Sequence, residues 1–196
     1  MEASQATSLC AKRIAESIAI KQLLLEDEFF LESLEKASVL VVDAIAGGGK
    51  VMFMGNGGSA ADAQHLAAEF AGRYLMERRP LPAIALNVNA SLLTAISNDY
   101  SFDLVFARQI EALGLACDVA VGLSTSGNSR NLLLAMESAR NKGIFTIGLT
   151  GKTGGLLQHA VDVCLRVPSF ETPRIQECHI MTGHILCEIV ESRLCG

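Results

Sequence analysis

Four hydroxyls and a glycine crowd into the six residues Ser124-Thr125-Ser126-Gly127-Asn128-Ser129. An apolar run precedes them and a helical pattern follows. Phosphate needs donors around three oxygens, and a helix start supplies hydroxyls, free N–H groups and the positive end of the dipole. One hydroxyl would suffice to cap the helix, so the surplus points to a phosphate grip. A second loop, Gly55-Asn56-Gly57-Gly58-Ser59, also ends an apolar run and opens a helical pattern. Its glycines let backbone N–H groups approach a ligand. No Gly-Lys-Ser/Thr follows, so it is not a nucleoside-triphosphate loop. It meets the dinucleotide fingerprint only with Ala60 in the last glycine place, and the next strand ends in Asn87, where a ribose would need an acid. A simple tight turn remains the competing reading.

Proton or metal chemistry has its own candidates. Asp62, His65, Glu69 and Arg73 form a polar stripe on a helix expected from Ser59 to about Tyr74. His65 and Glu69 are one turn apart on one face, placed to bind a metal or to move protons; a solvated stripe is the alternative. A C-terminal helix is expected from Pro173, with Thr172 as its cap and proline in the first position. Ile175, Cys178, Thr182, Ile185 and Ile189 give it an apolar side. Gln176 and His184 fall elsewhere on it, about 12 Å apart in rise, so only side chains that lean together would share an ion. A lone histidine on this helix, which carries His179 and His184, reads more often as structural.

The elements that must hold these residues follow from hydropathy. Residues 1–46 read as a helical extension of the same domain, stopped by Gly47-Gly48-Gly49. Residues 47–196 alternate helical stretches with five apolar runs, at Val51–Met54, Ala83–Leu86, Val119–Leu123, Phe145–Leu149 and Val163–Val167. Runs of this kind are strands covered on both faces. The expected fold is α/β: a three-layer, doubly wound, parallel five-stranded sheet, with ligands beyond the carboxyl ends of its strands. The 196 residues are half hydrophobic, and the formal charge of −5 comes with no Lys/Arg run, which disfavours nucleic acid as a partner. No stretch has the length of a membrane span, and the N-terminus lacks a secretory core. The six cysteines form no C-x-x-C pair and read as reduced thiols. Together these point to the cytoplasm.

In the residues from Gly55 to His65, in Glu69, Asn98-Asp99 and Ser124–Ser129, and in Ile175-Gln176-Glu177, His179 and His184, the chain resembles the SIS (sugar isomerase) domain family. It looks most like its bacterial phosphoheptose isomerases, over nearly the whole length. The resemblance implies a flavodoxin-like sheet, a homotetramer with sites at subunit interfaces, and one zinc ion per subunit on His65, Glu69, Gln176 and His184. It implies substrate contacts at Asn56, Gly57, Gly58, Glu69, Asn98, Asp99, Ser124, Thr125, Ser126, Ser129 and Gln176. The activity implied is conversion of sedoheptulose 7-phosphate to D-glycero-D-manno-heptose 7-phosphate through an enediolate, the first step towards ADP- or GDP-heptose. Glu69 would be the base and His184 the acid, with Asp99 assisting ring opening or holding a hydroxyl. A carboxylate bound tightly to zinc is a poorer base, and Gln is an uncommon zinc ligand. The alternatives are another phosphosugar isomerase, or the non-catalytic tetrameric SIS protein that binds the replication initiator DnaA. That relative resembles the chain less well at Glu69 and His184.

Overall fold

The computed structural model describes residues 3–196, with side chains from Ala6 onward. Met1 and Glu2, at the head of the expected helical extension, lie outside the described residues. The extension is two helices, α1 (Ala3–Glu26) and α2 (Glu28–Ala46). They break at Asp27, whose carboxylate caps α2 by accepting the Phe30 N–H at 3.0 Å, which satisfies one of the orphan donors at the helix start. Gly47 ends α2.

Five strands follow: β1 (Val51–Gly55), β2 (Ala83–Ala85), β3 (Val119–Ser124), β4 (Phe145–Thr150) and β5 (Val163–Arg166). All pair in parallel, in the order β2-β1-β3-β4-β5. One register line runs Ala85, Phe53, Val121, Ile147, Val163 across the whole sheet. These side chains are all buried on one face, under α2, α3 (Gly58–Ala71) and α7 (Thr172–Cys195). Strand alternation sends Met52, Met54 and Ala120 to the other face. There they pack with residues of α4 (Ala90–Asp99), α5 (Ala107–Leu113) and α6 (Arg130–Asn141). The result is the three-layer, doubly wound sheet expected from the hydropathy. At the amino ends of β1 and β3, buried Asp118 accepts from the Lys50 N–H at 2.9 Å and from Lys50 Nζ at 2.6 Å. This ties the strands together at the end opposite the loops of interest.

Two helix boundaries differ from the sequence reading. α3 stops at Ala71, because Gly72 ends it and turns the chain away; Arg73 and Tyr74 therefore lie beyond the helix. α7 starts one residue early, with Glu171 at the cap position and Pro173 inside the first turn. Its buried face holds Ile175, Cys178 and Thr182 as expected, but continues through Leu186, Cys187 and Val190. Ile185 is exposed and Ile189 only half-buried, so the apolar stripe drifts around the helix. Among the described residues no helix is long and apolar enough to cross a membrane.

Candidate active site

In this strand order the chain reverses direction between β1 and β3, and crevices for ligands open at such switch points beyond the carboxyl ends. β1 and β3 lead into the two loops singled out above. After β3, the Ser124 and Ser129 hydroxyls lie 3.0 Å apart, with Ser126 Oγ 3.5 Å from Ser124. Ser129 occupies the cap position of α6 but makes no capping bond. Its hydroxyl is turned into the cluster, so a cap does not account for it. The Gly127 N–H closes the turn onto Ser124 O and Oγ, both at 3.1 Å. A second segment, 151–157, braces this turn from behind. Gly151 N–H donates to Thr125 O at 3.1 Å, Leu157 N–H to Gly127 O at 2.9 Å, and Leu156 N–H to Asn128 Oδ1 at 3.0 Å. A Cβ on Gly127 would sit 2.1 Å from Gly154 O, and φ is +66° there. Only glycine allows that approach.

After β1, Gly57 and Gly58 open α3 with no side-chain cap, so this helix start is also free to receive a ligand oxygen. The amide of Gln176, from the first turns of α7, lies directly on Gly58: a Cβ there would meet Gln176 Nε2 at 2.3 Å. The two loops are joined by their amides. Asn56 Nδ2 donates to Asn131 Oδ1 at 3.0 Å, and Asn131 Nδ2 donates back to Asn56 Oδ1 at 2.9 Å. Asn87 Nδ2 holds Gly55 O from beneath at 2.6 Å.

Further along α3, His65 and Glu69 face His184 of α7. The His65 and His184 Nε2 atoms are 2.8 Å apart, and Glu69 Oε1 is 3.4 Å from His65 Nε2. In the two-histidine pair one ring donates and the other accepts, as the tautomers dictate. The Tyr74 ring stacks on His184 at 5.7 Å between centroids, 27° from parallel. Asp62 joins the group from below. Burial pushes its carboxyl up, partly offset by His65 and His184, and its Oδ2 is buried with no hydrogen-bond partner among the described residues.

Two imidazoles and a carboxylate are the usual donors to zinc, and their convergence fits a divalent ion in kind. Their spacing is that of a hydrogen-bonded pair: nitrogens at about 2.0–2.1 Å from a tetrahedral ion stand more than 3 Å apart. Among the described residues no three His, Cys, Asp or Glu side chains form a finished cage. An ion held by these side chains would need the pair to open slightly; Gln176 lies against Gly58. Asn98 and Asp99, at the end of α4, are exposed and bond to each other at 2.9 Å. Among the described residues they make no hydrogen bond or ion pair with the other candidates. His179 is a core residue, 1% exposed, with Nε2 3.2 Å from Thr150 O. Burial lowers its pKa to about 4.

Several residues that shape the site do not stand out in the sequence by type or motif. Glu191 is buried and accepts the N–H groups of Tyr74, Leu75 and Met76 at 3.1, 2.8 and 2.9 Å, and Arg78 Nε at 2.7 Å. Arg78 in turn donates to the carbonyls of Glu69, Phe70 and Gly72. This clasp fixes both the end of α3 and the segment that carries Tyr74. The signal that existed was positional. Glu191 falls on the buried i, i+4 column His179, Gly183, Cys187, Glu191, where an unpaired acid would be costly.

Comparison with known proteins agrees with this fold. Residues 14–151 match the SIS domain model. A phosphoheptose isomerase of Rhodospirillum rubrum is 58% identical over 164 residues, 84% of this chain and 87% of the relative. One from Geobacter sulfurreducens is 59% identical over 155 residues, covering 79% and 82% of the two chains. The solved structure of a phosphoheptose isomerase from Neisseria gonorrhoeae superposes with a TM-score of 0.90 at 43% identity, over 95% of this chain and 99% of that one. Fold and relatives thus converge, and the chain belongs to the SIS-domain family as one of its phosphoheptose isomerases.

Proposed function

We infer that the protein isomerises sedoheptulose 7-phosphate to D-glycero-D-manno-heptose 7-phosphate. The observation that carries this is the meeting of His65, Glu69 and His184 from two helices, beside two uncapped helix starts. One region can hold phosphate and the other can move protons. Ser124, Thr125, Ser126 and Ser129, with the N–H groups opening α6, take the phosphate; Gly57 and Gly58 offer N–H groups to sugar oxygens. Glu69 removes a proton from C1 of the open-chain ketose and returns it to C2. His184 moves the hydroxyl proton between O2 and O1, so the enediolate never carries its full charge unrelieved. No net redox change occurs and no nicotinamide is required.

His65, Glu69, Gln176 and His184 would hold the zinc ion, which when bound would polarise the carbonyl; Glu69 and His184 would serve as ligand or as proton carrier in turn, not as both at one moment. Exposed Ile14, Ile18, Leu25 and Phe29 on α1 and α2 support self-association, which the resemblance implies as a homotetramer. Asn98 and Asp99 would then complete the site from where they stand on the surface.

The test is to incubate the protein with sedoheptulose 7-phosphate and follow the sugar by NMR. Aldose signals should appear with the wild type and be lost with Glu69→Gln and with His184→Ala, both still folded. An unchanged ketose with the wild type, or near-normal turnover by either variant, refutes the assignment.

A further inference from the structure

The reciprocal amide pair between Asn56 and Asn131 crosses the switch point of the sheet. Asn131 lies in the first turn of α6 and is 3% exposed. A buried amide in a helix is costly unless its polar atoms are met, and an apolar residue would fill that volume without the cost. Here both its oxygen and its nitrogen are met by one side chain 75 residues away. An amide has two N–H donors and an oxygen with two lone pairs. The pairing uses one donor and one lone pair of Asn56, so one N–H remains for a substrate oxygen. A carboxylate in place of Asn131 would have no donor to return to the Asn56 oxygen. Asn87 holds the adjoining Gly55 carbonyl, so the Asn56 backbone is anchored while Asn131 fixes which way its amide faces.

We propose that Asn131 is a positioning residue of the isomerase. It orients the Asn56 amide towards the sugar and locks the glycine loop in register with the phosphate turn. The proposal rests on the functional reading only in taking Asn56 as a sugar contact. Asn131 acts through Asn56 and not on phosphate, which separates it from a residue that merely supports the start of α6.

The experiment is a double-mutant cycle with Asn56→Ala, Asn131→Ala and the pair, read as kcat/KM for sedoheptulose 7-phosphate and as inhibition by inorganic phosphate. Asn131→Ala alone should lower kcat/KM about 10- to 100-fold. In the Asn56→Ala background it should cost less than about threefold more, since coupled residues do not add. Phosphate inhibition should stay within about twofold of wild type, because hydroxyls and helix N–H groups carry it. Losses that multiply in the double variant, or a matching loss of phosphate inhibition, overturn the proposal. Should Asn131→Ala not fold, Asn131→Asp keeps the shape but turns the returning donor into an acceptor. It should show the same loss, and wild-type kcat/KM in it is equally fatal. Calorimetric binding of the same sugar phosphate is measured on all four proteins. A wild type that binds without converting sinks the isomerase reading while the binding cycle still decides the clasp. A wild type that does not bind removes Asn56 as a contact, and the proposal with it.

Discussion

Replacing Glu191 with alanine should disable the protein from a position that does no chemistry. The carboxylate accepts three backbone N–H groups and the Arg78 guanidinium, and the two side chains are 2% and 3% exposed. Removing one partner of a buried pair leaves the other charge uncompensated, at a cost of about 3–5 kcal/mol. For a domain of this length that is roughly 6–20 °C in melting temperature. It is also a large share of a typical total stability of about 5–15 kcal/mol. Turnover should fall further than stability alone explains, because the segment carrying Tyr74 is released from His184 and the Glu69 carbonyl loses Arg78. The pH dependence has a fixed sign. Burial pushes the Glu191 carboxyl up, but the N–H groups of Leu75, Tyr74 and Met76 and the Arg78 side chain hold it below its ordinary value. Its contribution is therefore complete above the unfolded value, about 4.3, and is lost as pH falls through the lower folded value. Thermal unfolding of wild type and Glu191→Ala from pH 7 down to pH 3 should show a wide gap that narrows in acid. A gap under about 2 °C at pH 7, or one that widens in acid, refutes the clasp.

Three further outcomes are expected. Gly58→Ala places a methyl 2.3 Å from Gln176 Nε2. The flexible amide should swing away, so melting temperature moves by no more than about 2–4 °C while turnover and bound divalent ion both fall; unchanged turnover would separate Gln176 from the site. His179, held at about 4 by burial, should make stability decline as pH drops from about 6.5 to 4, since the unfolded chain takes up the proton first. His179→Gln should flatten that window in denaturant titrations, and an unaltered slope contradicts the assignment. Dialysis against a chelator should abolish turnover and added zinc restore it, whereas full activity in chelator removes the metal from the account.

The sheet was legible because each strand is covered on both faces, so its apolar run stands out from the amphipathic helices around it. Strand ends moved by one residue: outward where Gly55, Ser124 and Thr150 carry the ladder into the loops, and inward at Ala85 and Arg166. The hydroxyl-rich turn was legible because four hydroxyls exceed what one cap needs, and Ser129 makes no capping bond. Arg73 was placed on a helix that Gly72 ends, since a glycine inside a helical pattern does not by itself say whether the helix stops. Asn131, Tyr74, Arg78 and Glu191 were not legible. Each acts on a partner far along the chain, or through the backbone of a loop whose course hydropathy does not reveal. The segment 151–157 was missed for the same reason: Gly154 matters only because it passes behind Gly127.

The proton transfer proposed for Glu69 runs between C1 and C2, beside His65 and His184. Its most direct measurement is isomerisation of sedoheptulose 7-phosphate in heavy water, with the sugar followed by proton NMR. The wild type should form the aldose, its C2 carrying protium moved from C1 together with deuterium that Glu69 takes up from solvent before delivery, and Glu69→Gln should neither form the aldose nor exchange the C1 protons. Exchange at C1 by Glu69→Gln at the wild-type rate would contradict the claim.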